Sequence, residues 1–108
     1  MSAITTHVLD TASGEPASGI PVTLEYQTAS GTWEVLAQGR TNSDGRIGDM
    51  TPPGAVLQPG LYCLRFNTSA RSEFFPEVVV RFHIEHANAH YHVPLLLSPF
   101  GYTVYRGS

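Results

Sequence analysis

The chain contains no lysine, and its six positive charges are all arginines. That excludes a lysine Schiff base and a P-loop lysine. Charged residues make up only 14% of the chain, well below the roughly 25% usual in globular proteins. The formal net charge of -3 speaks against nucleic acid as a partner, since phosphate binding needs a basic face. The single cysteine, Cys63, cannot close an intrachain disulfide. It lies in the apolar run Leu61-Tyr62-Cys63-Leu64, where a buried, inert thiol is expected, and one cysteine fits a reducing compartment. No apolar stretch approaches the ~20 residues of a membrane span. The opening MSAITTHVLD lacks the basic segment and apolar run of a signal peptide. The expectation is a soluble cytoplasmic protein with no membrane partner. No Gly-x-Ser-x-Gly elbow, glycine-rich phosphate loop, Cys-x-x-Cys or His-Glu-x-x-His is present.

What is present is β structure. The 108 residues, 42% of them hydrophobic, suit one domain spanning 1–108 with a core of its own. Short alternating runs are separated by Gly, Pro, Asn and Asp clusters about every ten residues, the pattern of an all-β sandwich or barrel. Strands are expected over 4–10, 20–27, 33–40, 46–50, 60–68, 78–86, 90–97 and 102–106. Turns are expected at Ser13-Gly14-Glu15-Pro16 and Asn42-Ser43-Asp44-Gly45. No segment has helical periodicity; the short stretch Asn67 to Phe75 is the one candidate. The shortage of charge points to surface covered by further subunits.

The richest chemistry lies in His90 to Ser108, HYHVPLLLSPFGYTVYRGS. Positions two apart share a strand face, so Tyr91, Val93, Leu95 and Leu97 should form a core face. His90, His92, Pro94, Leu96 and Ser98 then point the other way. Pro94 has no N–H to donate, which implies an edge or a bulge. His90 and His92 could form half of a metal site, a weak signal with no ligand set around it, and neither a metal nor a cofactor is assigned. His7 alternates with Thr5 and Leu9, and its face is not settled by pattern. Arg46 directly follows the second turn. Without an acid pair or a nucleophile elbow, catalysis would rest on His, Arg, Tyr and Ser. Histidine can take a proton from water near neutrality, and arginine can hold a carbonyl-rich ligand through two donors. Such a set suits attack of water on an activated amide.

Three blocks carry a resemblance. Thr6-His7-Val8-Leu9-Asp10 with Gly14-Glu15-Pro16-Ala17 is the first, Thr41-Asn42-Ser43-Asp44-Gly45-Arg46 the second, and His90 to Ser108 the third. Together they resemble the 5-hydroxyisourate hydrolases, the transthyretin-like enzymes of urate breakdown. The likeness implies a transthyretin-like sandwich of two four-stranded sheets, with the usual short helix reduced or absent because the Asn67 to Phe75 connection is short. It implies a homotetramer in which the outer face of one sheet lines a channel between dimers.

It also implies residue roles: His7, Arg46, His92 and Ser108 as the catalytic set, and Tyr105, Arg106 and Gly107 as substrate-binding residues that close the site. A histidine would deprotonate water, Arg46 would stabilise the oxyanion, and Ser108 would orient water or a histidine. Histidines beside an arginine should have depressed pKa values. The alternative is a non-catalytic transthyretin-like carrier of a small aromatic ligand. The hormone carrier itself lacks the His, Arg and Tyr-Arg-Gly-Ser set, which favours the enzyme.

Overall fold

The computed structural model describes residues 4–108. Its β segments are β1 (Ile4–Asp10), β2 (Glu15–Pro16), β3 (Pro21–Gln27), β4 (Trp33–Arg40), β5 (Arg46–Ile47), β6 (Gly60–Asn67), β7 (Glu77–Ile84), β8 (Tyr91–Ser98) and β9 (Gly101–Val104). No helix occurs among the described residues. One sheet runs β4-β3-β6-β7 and is antiparallel throughout. The other runs β2-β1-β8-β9, with β5 also paired to β1. The expected all-β sandwich is therefore present. Glu15–Pro16, expected as turn only, adds a fifth short segment to the second sheet.

Alternation sets the core. Ile4 and Val8 of β1 and Leu95 and Leu97 of β8 are fully buried, and they meet Leu24, Leu64 and Phe66 of the opposite sheet. Each such side chain contributes about 1.5–3 kcal/mol by leaving water. Tyr91 and Val93 continue the inward face of β8, as alternation predicted. Cys63 is buried and free, and its thiol is pushed up from its ordinary pKa, by burial first and then by the Glu25 carboxylate. It has the character of an inert thiol.

The pairing of β1 with β8 positions the functional side chains. The two strands are parallel, in register from Ile4 opposite Tyr91 to Asp10 opposite Leu97. Residues directly opposite point to the same face, so Thr5 lies beside His92 and His7 beside Pro94. The far edge of β1 is shared by β2 and β5, which places His7 opposite Arg46.

Pro94 behaves as its missing donor requires, although β8 is a central strand. The β8–β9 ladder runs from Ser98↔Gly101 to Leu95↔Val104 and then stops. It resumes only as the single bridge His92↔Gly107, where the Gly107 N–H donates to the His92 carbonyl at 2.9 Å. The gap lies beside Pro94, whose nitrogen has no hydrogen to give to the neighbouring chain.

The connection from β6 to β7 is a turn, as its length suggested. The N–H groups of Arg71 and Ser72 both donate to the Thr68 carbonyl, at 3.0 and 2.9 Å. The Ser72 hydroxyl donates to the Pro99 carbonyl at 2.7 Å, and Arg71 pairs with Asp10 at 3.0 Å. Burial alone would raise the Asp10 pKa. Hydrogen bonds from the Ser13 and Ala12 amides, together with Arg71, outweigh it and hold the carboxyl below its ordinary value.

Candidate active site

The turn before β5 fixes Arg46. The Asn42 side-chain oxygen accepts from the Asp44 and Arg46 amides at 2.9 and 3.0 Å, closing the Asx turn its residue types favour. Gly45 has φ 74°, in the left-handed region, and a Cβ there would collide with the Val8 carbonyl. Only glycine lets the turn lie this close to β1. In return, the Val8 N–H donates to the Gly45 carbonyl at 2.7 Å. Arg46 emerges exposed at the start of β5. Among the described residues its guanidinium has no hydrogen-bond or ion-pair partner.

His7 is partly buried on the outward face of β1, beside Arg46. Its Nε2 lies 2.9 Å from the Asp44 carbonyl oxygen. A carbonyl can only accept, so Nε2 carries the proton and, in the neutral ring, Nδ1 keeps its lone pair.

His92 is held from two sides. Its Nδ1 lies 2.7 Å from the Thr5 hydroxyl. On the other side the chain passes over the ring at Gly107, where a Cβ would come within 2.6 Å of His92 Cδ2 and 3.2 Å of Pro94 Cγ. Such a contact is too close for any side chain, so the absent side chain of Gly107 is what admits the imidazole. The ring is thereby fixed with Nε2 free of protein hydrogen bonds among the described residues. The pKa of His92 is lowered from its ordinary value, first by burial, then by the positive charge of Arg46 and by His90 and His7. Histidine near neutral pH is thus kept unprotonated and able to accept a proton. For His92 this is the direction that the resemblance implied for a histidine beside an arginine.

These groups surround a cleft of about 250 Å³ lined by Thr5, Arg46, Gly48, His90, His92 and Ser108, among others. Arg46, His92 and Ser108 therefore meet in one cleft, and His7 borders it through its pairing with Arg46. Tyr105 and Arg106 lie elsewhere. They line a separate cavity of about 370 Å³ with Phe82 and Tyr91, and the Arg106 guanidinium stacks 4.6 Å from the centre of the Tyr91 ring. The tail thus divides, with Gly107 and Ser108 turned to the cleft and Tyr105 and Arg106 to the gap between the sheets. His90 is exposed, and its Nε2 lies 2.9 Å from the same Thr5 hydroxyl. Among the described residues no group of three or more His, Cys, Asp or Glu gathers as a metal site.

Sequence reasoning did not single out Thr5 or the Asp44 carbonyl. The cue for Thr5 was its place two residues before His7. Its importance comes from the parallel register across 87 positions, which no local spacing reveals.

The likeness to known proteins agrees with this architecture. The chain is 46% identical to a protein of Salmonella dublin named 5-hydroxyisourate hydrolase, over 97% of this chain and 80% of the relative. A solved structure of Klebsiella pneumoniae 5-hydroxyisourate hydrolase superposes with a TM-score of 0.84 at 37% identity, covering 100% of both chains. Transthyretin from Sparus aurata superposes with a TM-score of 0.89 at 28% identity, over 99% of this chain and 97% of that one. The model of the HIUase/Transthyretin family matches residues 4–107, and the chain belongs to that family.

Proposed function

We propose that this protein hydrolyses 5-hydroxyisourate to 2-oxo-4-hydroxy-4-carboxy-5-ureidoimidazoline, a step of urate catabolism. One observation carries the reading: a histidine kept neutral by burial and by Arg46 shares a cleft with that same arginine, whose guanidinium has no partner among the described residues. A neutral base beside an unspent cation is what attack of water on a ring amide needs.

Water is deprotonated by His92 at Nε2 as its oxygen bonds to the carbonyl carbon. The carbonyl π pair moves to oxygen, and Arg46 stabilises that oxyanion; removing such a donor typically costs about 3 kcal/mol of transition-state stabilisation. The intermediate collapses, the carbon–nitrogen bond breaks, and the ring nitrogen takes a proton back. His7, with Nε2 bound to the Asp44 carbonyl and its residue opposite Arg46 in the strand register, keeps an Nδ1 lone pair with which to orient water or substrate. Ser108 lines the cleft and orients water or His92. Tyr105 and Arg106 line the separate cavity and take no part in this step. No cofactor enters the mechanism.

The relatives named as hydrolases are the more similar in sequence, at 46% and 37% identity against 28% for the transthyretin, which favours the enzyme over a carrier. The working form is a homotetramer in the cytoplasm, with the β1–β8–β9 face turned to a neighbouring subunit. No helix among the described residues is long and apolar enough to cross a membrane.

The direct test adds the protein to freshly generated 5-hydroxyisourate and follows its ultraviolet decay. Decay many times faster than in buffer is expected. A rate equal to buffer, with stoichiometric binding, would replace the enzyme with the carrier.

A further inference from the structure

The Thr5 hydroxyl touches two imidazole nitrogens, His92 Nδ1 at 2.7 Å and His90 Nε2 at 2.9 Å. A hydroxyl has one proton to donate and lone pairs with which to accept. It cannot donate to both rings. If Thr5 donates to His90, then His92 Nδ1–H donates to Thr5, and His92 Nε2 is left as a free base. If the direction reverses, His92 carries its proton on Nε2 instead. The two rings lie nearly parallel, at 28° with centres 6.2 Å apart, and they differ in setting: His92 is partly buried and His90 is exposed.

We propose that Thr5 is the middle of a proton relay, His92 to Thr5 to His90, that moves the charge of the abstracted proton from partly buried His92 to solvent-exposed His90 at the edge of the cleft. The proposal rests on the hydrolase reading above. As water attacks, its proton bonds to His92 Nε2. The Nδ1 proton passes to the Thr5 oxygen, and the Thr5 proton passes to His90 Nε2. His92 stays neutral and His90 becomes the imidazolium. When the carbon–nitrogen bond breaks, the chain runs backward: His92 Nε2–H goes to the leaving nitrogen, Thr5 returns a proton to Nδ1, and His90 repays Thr5. All three groups are then reset, and the new carboxyl ionises into water.

The gain is electrostatic. An imidazolium at His92 would be partly desolvated and would face Arg46 and His7. At His90, exposed at the cleft edge, the same charge is in water; the Arg106 guanidinium touches the His90 backbone carbonyl at 3.5 Å. Charge placed in water costs less than charge placed beside a cation in a cleft. The relay also leaves the Arg46 charge undivided for the oxyanion.

Two variants and one added solute test this. Thr5→Val keeps the branched shape and removes the hydroxyl, and Thr5→Ser restores it. Thr5→Val should lower kcat between about 10- and 100-fold, the lower part of the range for general acid–base catalysis, with KM within twofold. Thr5→Ser should stay within about threefold of wild type, on the same scale. His90→Ala should lose kcat comparably, and free imidazole in the buffer should restore it in a saturating manner, while Thr5→Val should not respond. If Thr5→Val does not fold, the His90→Ala result decides. Wild-type kcat in Thr5→Val, or a His90→Ala enzyme that keeps full activity in dilute non-imidazole buffer, overturns the relay. Both results leave the hydrolase standing, because wild-type turnover is measured in the same series; absence of wild-type turnover overturns the hydrolase itself.

Discussion

The two sheets turn arginines outward in opposite ways. On the β4-β3-β6-β7 sheet Arg65 is fully engaged, with Nε 2.9 Å from Glu25 and Nη1 3.0 Å from Glu77. Arg81 on the same sheet stacks over the Trp33 ring at 5.1 Å. On the β1–β5–β8 face Arg46 has no partner among the described residues, and its neighbours are imidazoles. Among the described residues, Arg65 and Arg81 are engaged while Arg46 is left without a partner where a neutral base also waits. The paired arginines serve the fold, and the unpaired one is available to a ligand.

That contrast can be broken most severely at His92. His92→Ala removes the base and should lower kcat by 10²–10⁴-fold, the range for general acid–base catalysis, with the melting temperature little changed because the ring lies at the edge of the core. Steady-state kinetics and a thermal melt on the same sample check both halves. A smaller effect is expected at Gly107→Ala. The added Cβ would sit 2.6 Å from the His92 ring, so either the ring or the tail must move, and misplacement of a catalytic group by about 1 Å costs up to 10²-fold. A fall in kcat of about 10- to 100-fold is expected, measured against Gly101→Ala, where the nearest atom is the Ser98 hydroxyl at 3.6 Å.

The smallest expected effect is a titration. His92 titrates below its ordinary value, chiefly through burial and next through Arg46. The base must be neutral, so the acid limb of kcat/KM should fall below the unperturbed 6.5. Stability follows the same sign. Above pH 6.5 the ring is neutral in folded and unfolded chains alike; as pH drops below that, the unfolded chain gains the proton first and the folded state loses stability. Imidazole NMR of Arg46→Gln should show the His92 midpoint moving up toward 6.5 without fully reaching it, since burial remains. An unchanged midpoint would mean that Arg46 does not act on His92.

Much of this contrast was readable from sequence, but unevenly. Tyr91, Val93, Leu95 and Leu97 were identified as core because the alternate positions carry His90, His92, Pro94 and Ser98 while theirs are wholly apolar. The Asn42–Arg46 turn was equally plain, since Asn, Asp and Gly each have a local backbone reason to be there. The face of His7 was not, because both alternating sets of β1 contain threonine and an apolar residue. The short strand β2 escaped because two-residue segments are made by their partners and not by their own propensity. Thr5 escaped because its two histidine contacts depend on parallel pairing between the first and eighth strands. Tyr105 and Arg106 look continuous with Gly107 and Ser108 in sequence, yet the missing donor of Pro94 breaks the ladder beside them and the tail divides between two cavities.

The most direct measurement sets Arg46→Ala beside Arg65→Ala. For Arg46→Ala, turnover of 5-hydroxyisourate should fall about 10²–10³-fold with an unchanged melting temperature. For Arg65→Ala, turnover should stay within twofold of wild type while stability drops by about 1 kcal/mol, the modest value of an ion pair partly screened by water. Wild-type turnover in Arg46→Ala, or an equal loss in a folded Arg65→Ala, would contradict the assignment of the unpaired arginine to the reaction.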